Sequence, residues 1–326
     1  MSLGTVDVIV VHYGGKDMTR RCLQALGGDA ACLRSVTVVD SGSELPLSVM
    51  EIRGWFGEES GAEEVRSCPD LHLIIRSDNV GFAAGNNLGL AARVGDGADY
   101  YLILNNDAYL TPGSLTAMVE AADLHTAGMV VPAVYVAQDT AKVDRFGMTL
   151  TRTGAAYDRK HETDGPLLCP SGCAALYRRD LVLALMEDSE GFFDQGFVAY
   201  AEDLDVGLRA RARGFGVVFA PRAVIHHEGG GSFGKDSDAS YALRHRNLVW
   251  AIAKNYSGAL LLREAPFLLL GQLLALANAA RSRRLRLFIR SKRDAIRRTR
   301  AFRKGSAGHP RLNDRSVLDR RLWISR

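Results

Sequence analysis

Cysteine is sparse, and what there is does not pair. The five cysteines, Cys22, Cys32, Cys68, Cys169 and Cys173, are odd in number and form no CxxC. That excludes a disulfide framework and a structural zinc site, and leaves Cys169 and Cys173 as packing thiols. Before the first strand-like run, Val6 to Val11, there is no basic segment followed by an apolar stretch and a cleavage site. A secretory leader is therefore not expected, and a reducing, cytoplasmic setting is. Long apolar runs are missing too. Residues 259–280 are apolar but are interrupted by Arg263, Glu264, Gln272 and Asn278, which leaves less than the roughly 20 residues of a spanning helix.

What remains is the composition of a soluble globular protein, 47% hydrophobic and 24% charged, with room in 326 residues for about two domains. The net charge of +4 hides an asymmetry. Residues 281–326 hold 17 Lys and Arg against three Asp, while the rest carries 24 basic and 34 acidic side chains. An acidic body with a basic tail points to an anionic partner, either nucleic acid or a phospholipid surface.

Along the first half, β-rich runs alternate with helical patterns. Strands are expected at 7–13, 35–40, 71–76 and 99–107, with helices at 16–26 and 82–94. Such alternation predicts a largely parallel sheet covered on both faces. Its ligands would bind beyond the carboxyl ends of the strands, where Asp40 and Asn105–Asn106–Asp107 fall. The polar stretch 44–69 reads as an excursion, and 134–168 as short strands and turns. A helix is expected at 203–213 and a strand at 217–220. HHEGGGSFGK (226–235) has too many glycines for a regular element and reads as a mobile loop. Beyond Ser240 the chain reads as helical. In 281–304, Leu285, Phe288, Ile289, Ile296 and Phe302 sit among arginines, the pattern of a helix lying in a membrane interface. Packing on the protein's own body is the alternative, and a transmembrane hairpin is a further one. These apolar intervals suit lipid better than nucleic acid.

Four clusters carry chemistry. In VVDSGS (38–43), Asp40 ends a strand, where a carboxylate suits the ring N–H of uracil or thymine, or an Asx-turn. In DNVGFAAGNN (78–87), Asn79 and the glycines open a helix, suited to phosphate, sugar hydroxyls or simple capping. In LILNNDAYLTPGSL (102–115), Asp107 follows two asparagines and is placed to ligate Mg2+ or Mn2+, or to form a helix-entry turn. In FFDQGFVAYAEDLDVGLRARARG (192–214), Glu202, Asp203 and Asp205 crowd one helix start. Asp205–Arg209 reads as a structural pair. Asp203 reads as a cap or a general base, with capping expected to keep its pKa low.

Taken in order, DVIVVHY, VVDSGS, NVGFAAGNN, LNND, SGCAALYRR, AEDLDVGLR and HHEGGGS resemble the family-2 glycosyltransferases of the GT-A fold. The rhamnosyltransferase-like members that build bacterial cell-surface polysaccharides are especially similar, over residues 5–256. The resemblance implies an α/β, Rossmann-like nucleotide-diphospho-sugar transferase over 1–256, a mixed sheet flanked by helices. A helical, basic, membrane-associating region follows over 257–326. It implies Asp40 at the nucleotide base, with Asn79, Asn105, Asn106 and Gly172 about the donor sugar nucleotide. Arg246 and Asn247 would lie on a helix closing under that site. Asp107 and His227, with His226 as the other register, would hold a divalent metal, Mg2+ or Mn2+. Asp203 would be the catalytic base, with Glu202 as second choice. The family's DxD-like motif here reads Asn105–Asn106–Asp107, so a single acid is left for the ion. The implied reaction is inverting transfer from a dTDP- or UDP-linked sugar, L-rhamnose first, to a polyprenyl-linked or glycan acceptor. The implied location is cytoplasmic, peripheral at the inner face of the cell membrane through residues 260–304. A UDP-sugar transferase and a non-catalytic assembly scaffold of the same fold are the alternatives, and homo-oligomerisation is left open.

Overall fold

The computed structural model describes residues 3–29, 31–57, 69–229, 237–305 and 308–321. Its first half alternates as the sequence suggests: β1 (Val6–His12), α1 (Lys16–Leu26), β2 (Leu33–Ser41), α2 (Val49–Gly57), β3 (Asp70–Arg76), α3 (Gly81–Arg93) and β4 (Tyr100–Asn105). Then come β5 (Ala108–Leu110), α4 (Ser114–His125), β6 (Met129–Val136), β7 (Asp139–Arg145), β8 (Met148–Leu150), β9 (Ala156–Asp158), β10 (Ala174–Arg178) and α5 (Arg179–Met186). The chain continues through α6 (Glu202–Ala212), β11 (Val217–His227), α7 (Asp238–Asn255), α8 (Gly258–Arg281) and α9 (Leu285–Gly305).

Among the described residues the main sheet runs β3-β2-β1-β4-β10-β6-β11-β5, with β7 beside β6 and a separate β8–β9 pair. β3, β2, β1 and β4 are parallel, as expected for βαβ units. β10 enters antiparallel to both β4 and β6, so the sheet is mixed. Side chains alternate across it. Val6, Val8, Val10, Leu102 and Leu104 pack with α1 and α4 on one face, while Ile9, Tyr101 and Ile103 meet Leu204, Trp250 and Tyr256 on the other. α3 lies so close to β1 that a Cβ on Gly89 would stand 2.4 Å from Ile9 Cγ2, and glycine is needed there.

Two expectations change. His226 and His227 are not in a loop: β11 extends through both, paired with Tyr109 and Ala108 of β5. Strand pairing on both sides overrides the glycines that follow, and Gly230–Lys235 lie outside the described residues. The expected excursion at 44–69 contains α2, and its 58–68 part, with Cys68, lies outside the described residues. The C-terminal region is not set apart from the body. Leu260, Ala295, Leu312, Val317 and Leu318 belong to the same buried cluster as the sheet residues Ile9 and Tyr101.

Candidate active site

The carboxyl ends of β1, β2 and β4 open on one edge of the sheet. β4 stops at Asn105, Asn106 and Asp107 make a turn, and β5 returns beside the end of β11. The ladder continues past it, with Glu228 N donating to Asp107 O at 3.0 Å. This register brings His227 to Asp107: Nε2 stands 3.4 Å from Asp107 Oδ1. The opposite ring nitrogen, Nδ1, is 2.8 Å from Asp144 Oδ2 on β7. Asp144 in turn accepts from Arg145 Nε at 3.0 Å, and Arg145 also faces Asp158 at 3.6 Å. Burial acts to lower the His227 pKa, but hydrogen bonding to Asp107 and Asp144 outweighs it and raises it to about 10. Burial acts to raise Asp144, yet His227 and Arg145 hold it well below the usual carboxylate range.

The second acid site begins at β10. Asp203, in the first turn of α6, accepts from Gly172 N at 3.0 Å and from Leu204 N at 2.7 Å. Gly172 adjoins Cys173, whose carbonyl accepts from Asn105 N at 2.9 Å. Asp203 and the β4 end are thus bound to the same three-residue turn. Contrary to the sequence expectation, Asp203 is not the cap; Ala201 is, in the left-handed region. Nor is its pKa low. Burial raises it, the Gly172 and Leu204 amides only partly offset this, Asp158 adds to the rise and Arg145 opposes it. Glu202 is also raised, by burial and then by the charge of Asp203, and its Oε2 is buried without a partner. The approach to these acids is strained: Val198, Tyr200 and Ala201 have φ of 68°, 67° and 71°. Asn247 on α7 holds that turn, its Nδ2 donating to the carbonyls of Phe197, Ala199 and Tyr200 at 2.7–2.8 Å.

The other sequence candidates are placed as follows. Asn106 Nδ2 donates to Thr19 Oγ1 at 3.1 Å, and the Asn105 carbonyl accepts from Cys22 Sγ at 3.4 Å. Asp40 is wholly buried and accepts from Ser43 N and Leu47 N at 3.1 and 2.8 Å. Its carboxylate thus shapes the 43–47 loop, and a base reaching it has to move that loop. Exposed Asn79 accepts from Gly81 N and Ser41 Oγ at the start of α3. Arg246 stacks over Trp250 at 4.2 Å and reaches Asp294 and the Phe197 carbonyl, so it clamps α7 to α9 and the strained turn.

The sequence model of glycosyl transferase family 2 matches residues 7–185, more than half of the chain. The chain belongs to this family. The transferase is 25% identical over 243 residues to an N-acetylglucosaminyl-diphospho-decaprenol L-rhamnosyltransferase of Mycobacterium tuberculosis, covering 66% of this chain and 78% of the relative. Its fold is that of a mannosyltransferase from Pyrobaculum calidifontis, solved with GDP-Man and Mn2+, at 20% identity and TM-score 0.55, covering 94% and 84% of the two chains. GalNAc-T7, solved with UDP, GalNAc and Mn2+, matches at 12% identity and TM-score 0.58. That match covers 82% of the transferase, which spans half of the GalNAc-T7 chain. These likenesses establish the GT-A fold, and with the family match they make the chain a glycosyltransferase.

Among the described residues no group of three metal-ligating side chains converges. The fit to a divalent ion rests on two. Adjacent ligands about 2.1 Å from an octahedral ion stand roughly 3 Å apart, close to the 3.4 Å between Asp107 and His227. The Asp144 carboxylate behind Nδ1 is the usual support of a ligating imidazole, turning its other nitrogen outward. Replacing Asp144 by Asn is therefore expected to weaken Mn2+ binding by the full chain about 10–100-fold. Titration calorimetry without donor measures this, and unchanged affinity would mean that Asp144 does not orient the ring. Sequence reasoning missed Asp144, Arg145 and Asp158, because nothing in their local pattern marks the β6–β7 and β8–β9 pairs that bring them back to the site.

Proposed function

We propose that the transferase moves L-rhamnose from dTDP-rhamnose, with inversion, onto a polyprenyl-diphosphate-linked glycan in cell-surface polysaccharide synthesis. The observation carrying this reading is the likeness to the mycobacterial rhamnosyltransferase, which is named for the acceptor N-acetylglucosaminyl-diphospho-decaprenol. Asp203 takes the proton of the acceptor hydroxyl as its oxygen attacks the anomeric carbon. The bond from that carbon to the diphosphate breaks, and the nucleoside diphosphate leaves with the electron pair. Asp107 and His227, the latter after losing its Nε2 proton to solvent, would hold a divalent ion, Mg2+ or Mn2+, which would supply neutralisation of the charge growing on the diphosphate. Gly172 orients Asp203 through its N–H, and Glu202 lies beside it in the first turn of α6. Asn79, Asn105 and Asn106 face the donor, and Asp40 meets the base once the 43–47 loop opens. Asn247 and Arg246 position the turn that presents the acids. In this reading residues 1–256 are the catalytic domain, and 257–326 hold it peripherally on the anionic cytoplasmic face of the membrane that carries the acceptor.

A thermal-shift screen of dTDP- and UDP-sugars, with and without Mn2+, tests the donor. The expected result is the largest stabilisation by dTDP-rhamnose, increased by Mn2+. A larger shift with a UDP-sugar replaces rhamnose as the donor, and no shift with any nucleotide sugar favours the scaffold alternative.

A further inference from the structure

The membrane-facing element expected from the sequence was the arginine-rich helix, but its apolar side chains divide. Phe288 is buried and stacks near His245, and Phe302 stacks on Trp250 at 4.3 Å. Only Leu285, Ile289 and Ile296 of that set are exposed. α8 behaves differently. Leu262, Leu269, Leu273 and Leu276 recur at intervals of seven, four and three, which places them on one helix face. They are among the most exposed apolar side chains, 79% for Leu262 and 62% for Leu269. By length and composition α8 is apolar enough to cross a membrane, beyond what its interrupted sequence suggested.

Its opposite face is pinned to the body. Glu264 is fully buried in a two-bond pair with Arg152, at 2.6 and 3.2 Å, and Arg152 lies over Phe267 at 3.5 Å. A Cβ on Gly271 would stand 2.0 Å from Thr153 O, so helix and body touch backbone to backbone. To span a bilayer α8 would have to carry Glu264 away from Arg152 into hydrocarbon, which is strongly unfavourable. On α9, Arg286, Arg290, Arg293, Arg297 and Arg300 recur every three or four residues and are all exposed. They form one basic rail along a helix connected to α8 by a short turn.

We infer that α8 lies flat in the surface of an anionic phospholipid membrane, its leucine face among the acyl chains, while the α9 arginines ride on the lipid phosphates. The insertion and charge functions are thus divided between two helices, and neither crosses the bilayer. Charge complementarity selects the occupant: an exposed apolar helix face joined by a short turn to a cationic rail fits a bilayer interface and its phosphates. This rests on the reading that the protein works at a membrane. It is tested separately from the reaction, because vesicle binding needs no donor or acceptor.

The test is co-sedimentation of the full chain with vesicles of phosphatidylcholine, with and without phosphatidylglycerol, across a salt series. Wild type is expected to bind the anionic vesicles. The double variant Leu269→Glu with Leu273→Glu is expected to bind neither kind, at any salt, with an unchanged melting temperature. Replacing Arg286, Arg290, Arg293 and Arg297 by Gln is expected to lower affinity for anionic vesicles about a hundredfold or more and to flatten its salt dependence. Wild-type binding by the leucine variant overturns the inference. So does protein that resists alkaline extraction, which would mean a span. A dimer that the leucine variant dissociates would put a second copy on this face, and a salt-sensitive shift of DNA without vesicle binding would make the rail a nucleic-acid site. Sugar transfer to a detergent-dispersed acceptor, measured alongside, reports on the proposed reaction alone.

Discussion

Replacing Asp203 by asparagine is expected to lower turnover by about two orders of magnitude or more while leaving donor affinity near wild type. The amide oxygen still accepts from Gly172 N, so the turn joining β10 to the β4 end keeps its geometry. What is lost is the group that takes the acceptor proton. Glu202→Gln should cost less, because in this mechanism Glu202, raised to about 8 by burial and by the charge of Asp203, does not take the acceptor proton. The pH profile carries the second half of the test. Burial raises the Asp203 pKa, and a base works only when ionised. Activity should therefore fall as the pH drops through a value above the ordinary carboxylate range near 4, and the limb should vanish in the Asn variant. Single-turnover kinetics with saturating donor measure both. Near-normal turnover in the variant would remove Asp203 from the mechanism.

Replacing Asp205 by alanine should have the largest effect on stability, about 3–5 kcal/mol. Asp205 Oδ2 accepts from Arg209 Nε at 2.9 Å and Lys254 Nζ at 3.0 Å, and Oδ1 accepts from Asn255 Nδ2 at 2.7 Å. Asp205 and Arg209 are wholly buried, and Lys254 is 1% exposed. Removing the acid leaves two buried cations short of a partner and cuts the tie between α6 and α7. The exposed pair Arg222–Glu120 is the control, since breaking it should cost no more than about 1 kcal/mol. Burial acts to raise the Asp205 pKa, but Lys254 and Arg209 outweigh it and lower it. Its contribution is therefore present above the ordinary carboxylate range and is lost as the pH falls through the lowered value. Urea denaturation at several pH values tests both statements. A cost near that of the surface pair would mean that the network adds little.

Asp203 and Asp205 of α6 show how differently neighbouring positions were legible. Asp205–Arg209 is an i, i+4 pair, so its contact follows from helix geometry alone. Asp203 was recognisable by its place in AEDLDVG, yet its raised pKa was not, because that depends on burial and on Arg145 of β7 and Asp158 of β9, far off in the chain. His227 is similar. Its motif was readable, but the glycines after it suggested a loop, whereas pairing with β5 and β6 makes it the end of a strand.

The sequence by itself determined β1 to β4, α1, α3 and α6 and their order, because strand alternation, helical period and the turn-forming Asn, Asp and Gly residues act over a few neighbours. It also marked the motifs from which the active site is proposed. Only the tertiary structure decided which groups face one another. Asp144 is brought behind His227, Asn247 beneath the strained turn, and Arg152 onto Glu264 by packing between segments far apart in the chain. Such contacts are set by how whole layers fit together, and no local pattern encodes them. For the same reason the leucines of α8 became a surface and Phe288 and Phe302 of α9 became core: hydrophobicity is a property of the residue, but exposure is a property of the fold.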